Sequence, residues 1–487
     1  NFDSQIKEKT KNYSLNNRLI LVEALKHQNT NFPISEVTQT NIELLKLEKT
    51  FTITTGHQLN LFTGPAYFIY KIASAINLCK QLKSKYSEYN FVPVYWMATE
   101  DHDFEEINHF NLKDKKIKWE RESFGPVGRL STEGLNEVFE EFSQAIGIGE
   151  NAKYLKEIFQ KSYLEHSNLA DATRFLANEL FSEEGLVIID GDDKKLKTIF
   201  SPYIKEELIN QNSFKEVSKT ILQLKDYSVQ VNPREINLFY IEDHLRERII
   251  LENKTYKINN TEIQFSEVEI LELLQNSPEK FSPNVILRPL YQEVILPNLA
   301  YIGGGGEIAY WLELKNNFEA LKVTFPVLML RNSFVVATEK QMEKIEKLHV
   351  SWSELFLPQE ELIHQKTKEI SIFNIDFTQQ KETLKKQFLE LLKIAAQTDK
   401  SFIGAVKAQE VKQIKGLENL EKRLLKAEKK AHIDKLDRIT NIQNQLFTKG
   451  SLQERKSNFS EFYSKEFIKN VISLSNPLKT EFKIIKI

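Results

Sequence analysis

The 487-residue chain has very little cysteine, since Cys79 is the only one. A single cysteine excludes an intramolecular disulfide and any zinc site built from several thiolates. Such cysteine usage is the default in a reducing compartment, so we expect a cytoplasmic protein.

Long apolar runs are also missing. No stretch approaches the roughly 18 uninterrupted apolar residues that a membrane span requires. The first residues, Asn1 to Gln5, lack the basic segment and apolar core of a signal peptide. We therefore expect no membrane-embedded part.

Neither sign of charge predominates, because the formal net charge is −2. The chain has no global field that would draw it onto nucleic acid or an anionic membrane. Its length exceeds what one hydrophobic core supports, so two or three structural units are expected.

The first part of the chain alternates between short apolar strands and amphipathic helices. The periodicity predicts strands at 51–55, 91–98, 185–190 and 325–330, and helices at 66–86, at 170–181 and from about Glu307. Strand, helix and strand at this spacing indicate parallel strands with right-handed crossovers. We predict an α/β fold with a doubly wound parallel sheet.

From about residue 339 the sequence is typical of long helices. Residues 377–397 and 402–447 lack proline. Apolar residues recur at spacings of three and four residues, at Leu417, Leu420, Leu424, Ala427 and Ala431. This apolar stripe continues from Leu436 after a break in phase. Residues 398–401 would turn one helix back on the other, which predicts an antiparallel coiled coil. An ordinary amphipathic helix pair packed on the core is the alternative.

These patterns define the predicted domains. A catalytic core spans 1–338, with insertions near 111–165 and 200–285. A helical coiled-coil domain spans 339–450, and a C-terminal segment, 451–487, returns to the core.

Three segments at predicted strand ends carry candidate binding or catalytic residues, and open α/β sheets bind ligands at such ends. The first contains Gly56, His57, Gln58, Gly64, Tyr67, Tyr70 and Lys71, where glycines and a helix start would admit an anion. A tight loop with core tyrosines is the alternative.

The second segment, 99–109, has five carboxylates and two imidazoles directly after a strand, with Asp101, His102 and Asp103 at its centre. Such a cluster suits an ammonium group, a ribose, Mg²⁺ or a general base. A charged helix start is the alternative. No His-Glu-x-x-His spacing occurs, so we predict no protein-bound metal site there.

The third segment has a glycine run before a helix, whose amides could hold a phosphate or carboxylate. It contains Arg288, Gly303, Gly304 and Glu307, and Arg331, Asn332 and Ser333 end a strand on the same sheet edge. The run is not a P-loop, because no Gly-Lys-Ser/Thr follows it.

Together these residues resemble the bacillithiol-biosynthesis cysteine-adding enzymes along essentially the whole chain. The motifs that carry the resemblance are Thr55-Gly56-His57-Gln58, Phe62-Thr63-Gly64-Pro65, Tyr70-Lys71, Glu100-Asp101-His102-Asp103, Arg288-Pro289, Gly303-Gly304, Glu307-Ile308-Ala309-Tyr310 and Leu452-Gln453-Glu454-Arg455. The resemblance implies a Rossmann-like core with connecting-peptide insertions and a coiled coil that forms a homodimer. The chain is more distantly similar to class I aminoacyl-tRNA synthetases, whose His-Ile-Gly-His and Lys-Met-Ser-Lys-Ser signatures it lacks.

The implied activity is that of a ligase that joins cysteine to the amine of glucosaminyl-malate to form bacillithiol. A free carboxylate must be activated before an amide forms, so ATP, accompanied by Mg²⁺, is the expected cosubstrate. We expect the nucleotide or activated carboxyl near Gly56, His57, Gly64, Tyr67 and Lys71. Asp101, His102 and Asp103 would hold the amine or act as base, and Arg288 and Arg331 would bind the malate carboxylates.

Two other hypotheses remain open. One is a synthetase-like aminoacyl transferase acting on tRNA, since residues 400–449 are rich in lysine and arginine. The other is a non-catalytic coiled-coil scaffold with a degenerate Rossmann core.

Overall fold

A computed structural model describes residues 1–113 and 115–487. They form two compact units, one of residues 1–335 and 454–485, the other of residues 336–453 and 486–487. No helix in these residues is long and apolar enough to cross a membrane.

The larger unit is built on a parallel sheet. The strands of the chain are β1 Thr50–His57, β2 Asn90–Met97, β3 His109–Leu112, β4 Lys115–Lys118, β5 Val187–Asp190, β6 Leu238–Glu242, β7 Leu245–Glu252, β8 Thr255–Ile258, β9 Gln264–Phe265, β10 Phe281–Pro283, β11 Asn298–Gly303, β12 Val327–Leu330, β13 Ser333–Ala337 and β14 Phe482–Lys486. The parallel sheet has the order β12-β11-β1-β2-β5. The predicted doubly wound α/β fold is confirmed, with β11 as an additional strand.

Helices surround the sheet and fill the long connections. In the first part of the chain they are α1 Phe2–Asn12, α2 Leu15–Gln28, α3 Glu36–Leu44, α4 Tyr67–Lys85, α5 Phe104–Ile107, α6 Leu135–Ile146, α7 Glu150–Tyr163, α8 Leu169–Phe181, α9 Lys194–Asn210, α10 Asn212–Gln223, α11 Glu267–Asn276, α12 Leu287–Ile295, α13 Gly305–Glu313 and α14 Lys315–Ala320. Those that follow are α15 Glu339–Lys347, α16 Trp352–Leu355, α17 Gln359–Ile370, α18 Thr378–Ala395, α19 Lys400–Ala431, α20 Ile433–Leu446 and α21 Phe467–Leu474.

The parallel sheet is buried on both faces. Val92, Val94 and Trp96 of β2 pack into one hydrophobic cluster, whereas Phe91 and Phe51 belong to a second cluster on the other face. This alternation follows from the two-residue period of a strand. Because helices cover both faces, ligands can reach the sheet only at its edges, and the carboxyl ends of all five strands meet at one of them.

A second, antiparallel sheet comes from the predicted 200–285 insertion. Its strand order is β10-β6-β7-β8-β9. Opposite residues in β6 and β7 include Phe239 with Arg248 and Ile241 with Arg246, so these four side chains share one face.

The smaller unit contains the helical hairpin. Ala395, Phe388 and Val406 pack together, and Lys381 pairs with Glu421 at 2.5 Å, which makes α18 and α19 antiparallel. The predicted antiparallel coiled coil is confirmed, and the break in phase falls at His432, between α19 and α20. Leu420 remains 52% exposed on the outer face of the hairpin.

A cationic cavity at the carboxyl edge of the parallel sheet

A cavity of about 980 Å³ lies in the larger unit, at the carboxyl edge of the parallel sheet. The ends of β1 and β2, the starts of α4 and α13 and one face of β6 and β7 form its walls. Its charged lining comprises Lys71, Arg234, Arg246, Arg248, Arg288, Arg331 and Arg455 against Glu100, Asp101 and Glu307. The excess of positive charge favours an anionic ligand.

A buried ion pair joins two sides of this cavity. Lys71 of α4 donates to both carboxylate oxygens of Glu307, at 2.9 and 2.8 Å, and to the carbonyl oxygen of Gly56. Glu307 also accepts from the Tyr301 hydroxyl and the Gly304 N–H, each at 2.8 Å. Burial lowers the pKa of Lys71, while for Glu307 the effect of burial is outweighed by Lys71, which holds its pKa below the usual value. The pair fixes the start of α13 against the end of β1.

His57, the last residue of β1, lines the same cavity and is only 8% exposed. Its ring packs against Tyr67 and Phe68, at 5.3 and 5.2 Å between centroids. Burial, followed by the nearby Lys71, lowers its pKa to about 3. The imidazole is therefore neutral at neutral pH and a weak base.

The loop between β1 and α4 has a strained backbone. Phe62, Thr63 and Gly64 all have positive φ, at 46°, 69° and 62°. Such conformations cost of order 1–3 kcal/mol per non-glycine residue and persist only when the surroundings impose them. Here Asn458 Nδ2 donates to the carbonyl oxygens of Phe62 and Gly64, at 2.7 and 2.6 Å. The C-terminal segment thus holds this loop in place.

The acidic segment after β2 is organised around Asp101. Gln58 Nε2 donates to Asp101 Oδ2 at 2.9 Å and to Glu106 Oε2 at 2.8 Å. The other oxygen of Asp101 accepts the backbone N–H of His102 at 2.8 Å and that of Asp103 at 3.4 Å. Asp101 is therefore fixed at the cavity wall, where it can hold an ammonium group or accept its proton.

His102 is held by an arginine of the inserted sheet. Arg246 Nη1 lies 2.6 Å from His102 Nδ1. Because a guanidinium can only donate, Nδ1 accepts, and the imidazole proton is on Nε2. Burial, and then the charge of Arg246, lowers the pKa of His102. His102 is therefore a neutral imidazole with Nδ1 occupied by Arg246 and Nε2–H left to donate.

Across residues 1–113 and 115–487, no three histidine, cysteine, aspartate or glutamate side chains are arranged to hold a metal ion. His109 lies on β3, with Nδ1 at 3.1 Å from its neighbour Asn108.

The N-terminal Rossmann-like domain of the bacillithiol biosynthesis protein BshC matches residues 1–332, and the C-terminal coiled-coil domain of BshC matches residues 334–487. The chain belongs to the BshC family. The resemblance to the bacillithiol-biosynthesis cysteine-adding enzymes is confirmed.

BshC relatives from several bacteria match this chain, each bearing the name "Putative cysteine ligase BshC". The Flavobacterium psychrophilum protein is 65% identical, over 100% of this chain and 92% of its own length. The Flavobacterium johnsoniae protein is 62% identical, over 100% and 93%. The Staphylococcus carnosus protein is 31% identical, over 67% and 63%.

Most of the residues predicted for a BshC site reach the cavity. Those that line it are Gly56, His57, Gln58, Tyr67, Lys71, Asp101, His102, Arg288, Gly304, Glu307 and Arg331. Sequence-distant residues meet there because the strands that precede them are neighbours in one parallel sheet.

The other predicted residues lie outside the lining. Tyr70 is fully buried, with its ring centroid 4.8 Å from that of Phe334. Asn332 bonds Ser74 and the backbone of Asn476. Tyr70 and Asn332 therefore contribute to the packing beneath the cavity.

Asp103, Gly64, Gly303 and Ser333 also lie outside the lining. Asp103 is exposed at the start of α5. Gly303 packs on Glu307 and Tyr301, and Ser333 bonds Glu454. The N–H of Gly304 is occupied by Glu307, which leaves the glycine run less free to bind an anion than its sequence indicates.

Several lining residues were not predicted, chiefly those of the inserted sheet and the segment before it: Asn232, Arg234, Phe239, Arg246 and Arg248. The alternation Arg246-x-Arg248 within a strand was the available signal. Arg455, in the quoted Leu452–Arg455 motif, also lines the cavity.

Proposed function

We propose that this protein is a ligase that forms an amide bond between the carboxyl group of cysteine and the amine of glucosaminyl-malate, and that ATP activates the carboxyl group. The product would be bacillithiol. The proposal is supported by family membership and by the chemistry of the cavity.

One observation carries the proposal: a strongly cationic cavity has a fixed carboxylate, Asp101, in its wall. The two substrates and ATP bring carboxylates and phosphates, which guanidinium groups bind well. The acceptor brings an ammonium group, which must lose a proton before it attacks. Asp101 is positioned for that group, whereas His57 and His102 are neutral and weakly basic.

The residues have distinct roles in this proposal. Asp101 holds the amine and takes its proton, oriented by Gln58. Arg455, beside Tyr67, faces the phosphates and the activated carboxyl group. Lys71 is a positioning residue that holds the start of α13 against the end of β1, because its hydrogen bonds go to Glu307 and Gly56.

The direct test is product formation by the purified protein. Cysteine, glucosaminyl-malate and ATP are incubated with it, and bacillithiol is measured by mass spectrometry together with ADP and AMP. We expect product that requires ATP, and the released nucleotide distinguishes an acyl phosphate from an acyl adenylate. No amide product with any nucleotide would contradict the proposal, and amide formation on added tRNA would favour the transferase hypothesis.

A matched pair of variants ties activity to the cavity. Asp101→Asn removes the wall carboxylate, whereas Glu105→Gln removes a carboxylate of the same segment that does not line the cavity. Only the first should lose activity.

A further inference from the structure

The inserted antiparallel sheet presents a cationic face to the cavity. Residues alternate along a strand, so Arg246 and Arg248 of β7 share a face with Phe239 of β6, and all three line the cavity. The next residue, Ile249, points the other way and is buried in the core. Hydrophobic packing on one side of the ribbon therefore fixes two guanidinium groups on the other.

Arg246 is rigidly held. Its side chain stacks on Phe239, with the guanidinium carbon 4.0 Å from the ring centroid, and Nε donates to Ser282 Oγ at 3.2 Å. Its contact with His102 leaves the imidazole N–H of Nε2 as a donor.

Arg234 adds a third guanidinium from the segment before β6. Glu313 fixes that segment by accepting the N–H groups of Gln230 and Val231, at 2.7 and 3.2 Å. Within residues 1–113 and 115–487, the guanidinium groups of Arg234 and Arg248 have no hydrogen-bond or ion-pair partner.

The two arginines expected to bind malate are less free. Arg331 pairs with the buried Glu454 at 2.7 Å and also bonds Ser333. Arg288 bonds Gln292 and Tyr310, at 3.1 and 3.4 Å. The charge of Arg331 is paired within the protein, and Arg288 has two of its donors occupied by neutral groups.

We infer that Arg234, Arg246 and Arg248, with the Nε2–H of His102, form the subsite for the dicarboxylate group of the amino-sugar substrate. This inference rests on the proposed function. It assigns to the insertion the recognition of the acceptor, and leaves Arg455 for the activated donor.

The position of this face relative to Asp101 supports the assignment. In an amino-sugar glycoside of this kind, the malyl oxygen and the amine are on neighbouring ring carbons. The dicarboxylate must therefore lie close to the group that binds the amine. Arg246 meets this condition, because His102 lies between it and Asp101. Arg246 Nη1 is 2.6 Å from His102 Nδ1, and His102 Nδ1 is 3.8 Å from Asp101 Oδ1.

The test compares two acceptors in the full-length protein. One is glucosaminyl-malate, and the other is methyl glucosaminide, which has the amine but no carboxylates. Losing one charged hydrogen-bonding partner typically weakens binding about 10- to 100-fold. We expect Arg248→Gln to raise KM for glucosaminyl-malate by that factor, with little change in KM for ATP, cysteine or methyl glucosaminide. Lys257→Gln, on β8 of the same sheet but outside the cavity lining, is the charge-matched control and should match the unaltered protein.

Two results would overturn the inference. One is a rise in KM for ATP with Arg248→Gln, which would place phosphates on this face. The other is an equal loss with both acceptors, which would indicate a structural role.

Calorimetric titration with glucosaminyl-malate, without ATP or cysteine, separates this inference from the proposed function. Binding that is weakened by Arg248→Gln supports the subsite even if no amide product forms. Binding that is unchanged by Arg248→Gln refutes it even if the protein is an active ligase.

Discussion

Replacing Glu307 by glutamine should leave a buried ammonium without its counter-ion. Lys71 is only 2% exposed, and burial already lowers its pKa. Breaking a buried pair by removing one partner typically costs about 3–5 kcal/mol. We expect about 3 kcal/mol here, at the low end of that range, because the Gly56 carbonyl still accepts from Lys71 and Glu307 is partly exposed.

The loss should also change the pH dependence of stability. A lysine whose folded-state pKa is below its unfolded value binds fewer protons when folded, so stability rises with pH up to about 10.5. Without Glu307 the pKa of Lys71 falls further, and this rise should begin at lower pH. Glu307 itself has a lowered pKa, so in the unaltered protein its contribution is present above about pH 4.5 and is lost as the pH falls.

Urea unfolding between about pH 6 and pH 9 measures this effect. Tryptophan fluorescence suits the assay, because Trp96, Trp119 and Trp311 all lie in the unit that holds the cavity. The double variant Lys71→Met with Glu307→Gln should be more stable than Glu307→Gln alone. Equal stability of Glu307→Gln and the unaltered protein, with parallel pH profiles, would refute the argument.

Three further outcomes are expected. Asp101→Asn should lower the rate of amide formation by about 10²–10⁴ with a near-native melting temperature, whereas Asp103→Asn should be mild because Asp103 does not line the cavity. Gly64→Ala should destabilise the protein by about 2 kcal/mol or more in urea unfolding, since φ is +62° and the added carbon would lie 2.7 Å from a neighbouring side chain. We propose that the coiled coil forms a homodimer, so light scattering of the double variant Leu420→Glu with Leu424→Glu should show a monomer.

Each of these outcomes has a control. Glu106→Gln should retain most activity, and full activity of Asp101→Asn would show that the acidic segment is only a solvated helix start. Gly306→Ala, where an added carbon meets nothing within 4 Å, should keep the native stability. Lys422→Glu, on an exposed part of α19, should leave the molecular mass measured by light scattering at that of the dimer. An unchanged mass for the leucine variant with its helices intact would assign the stripe an internal role.

The parallel sheet was predictable from the sequence because its strands are short runs of apolar or, in β1, β-branched and aromatic residues. Because both faces of the sheet are covered, buried residues such as Val92 and Val94 do not alternate along the strand with exposed polar residues. β11 was harder to predict, since Asn298 and Gly303 at its ends are residues that strands disfavour. Asn298 is nevertheless buried, and its amide oxygen accepts from Thr54 at 2.8 Å.

The site was predictable only in part, because sequence reasoning finds strand ends but not what an insertion places above them. His57 and Asp101 end or follow strands of the same sheet, and their meeting follows from topology. The approach of Arg246 to His102 depends on how an antiparallel ribbon packs 144 residues further along the chain. Likewise, the apparent anion loop at Gly304 loses its free amide to Glu307, a pairing that only the folded backbone reveals.

The contact between Gly64 and Asn458 has a consequence for synthesis on the ribosome. The two residues are 394 positions apart. At 5–20 residues per second, about 20–80 s pass between the emergence of the strained loop and that of the side chain that holds it. During that interval β1 and β2 can pair and α4 can pack on them, while the loop still lacks the hydrogen bonds from Asn458. A chain terminated by a premature stop codon before Asn458 would contain every strand of the parallel sheet but neither hydrogen bond that holds the loop, so we expect the loop to be fixed late in translation.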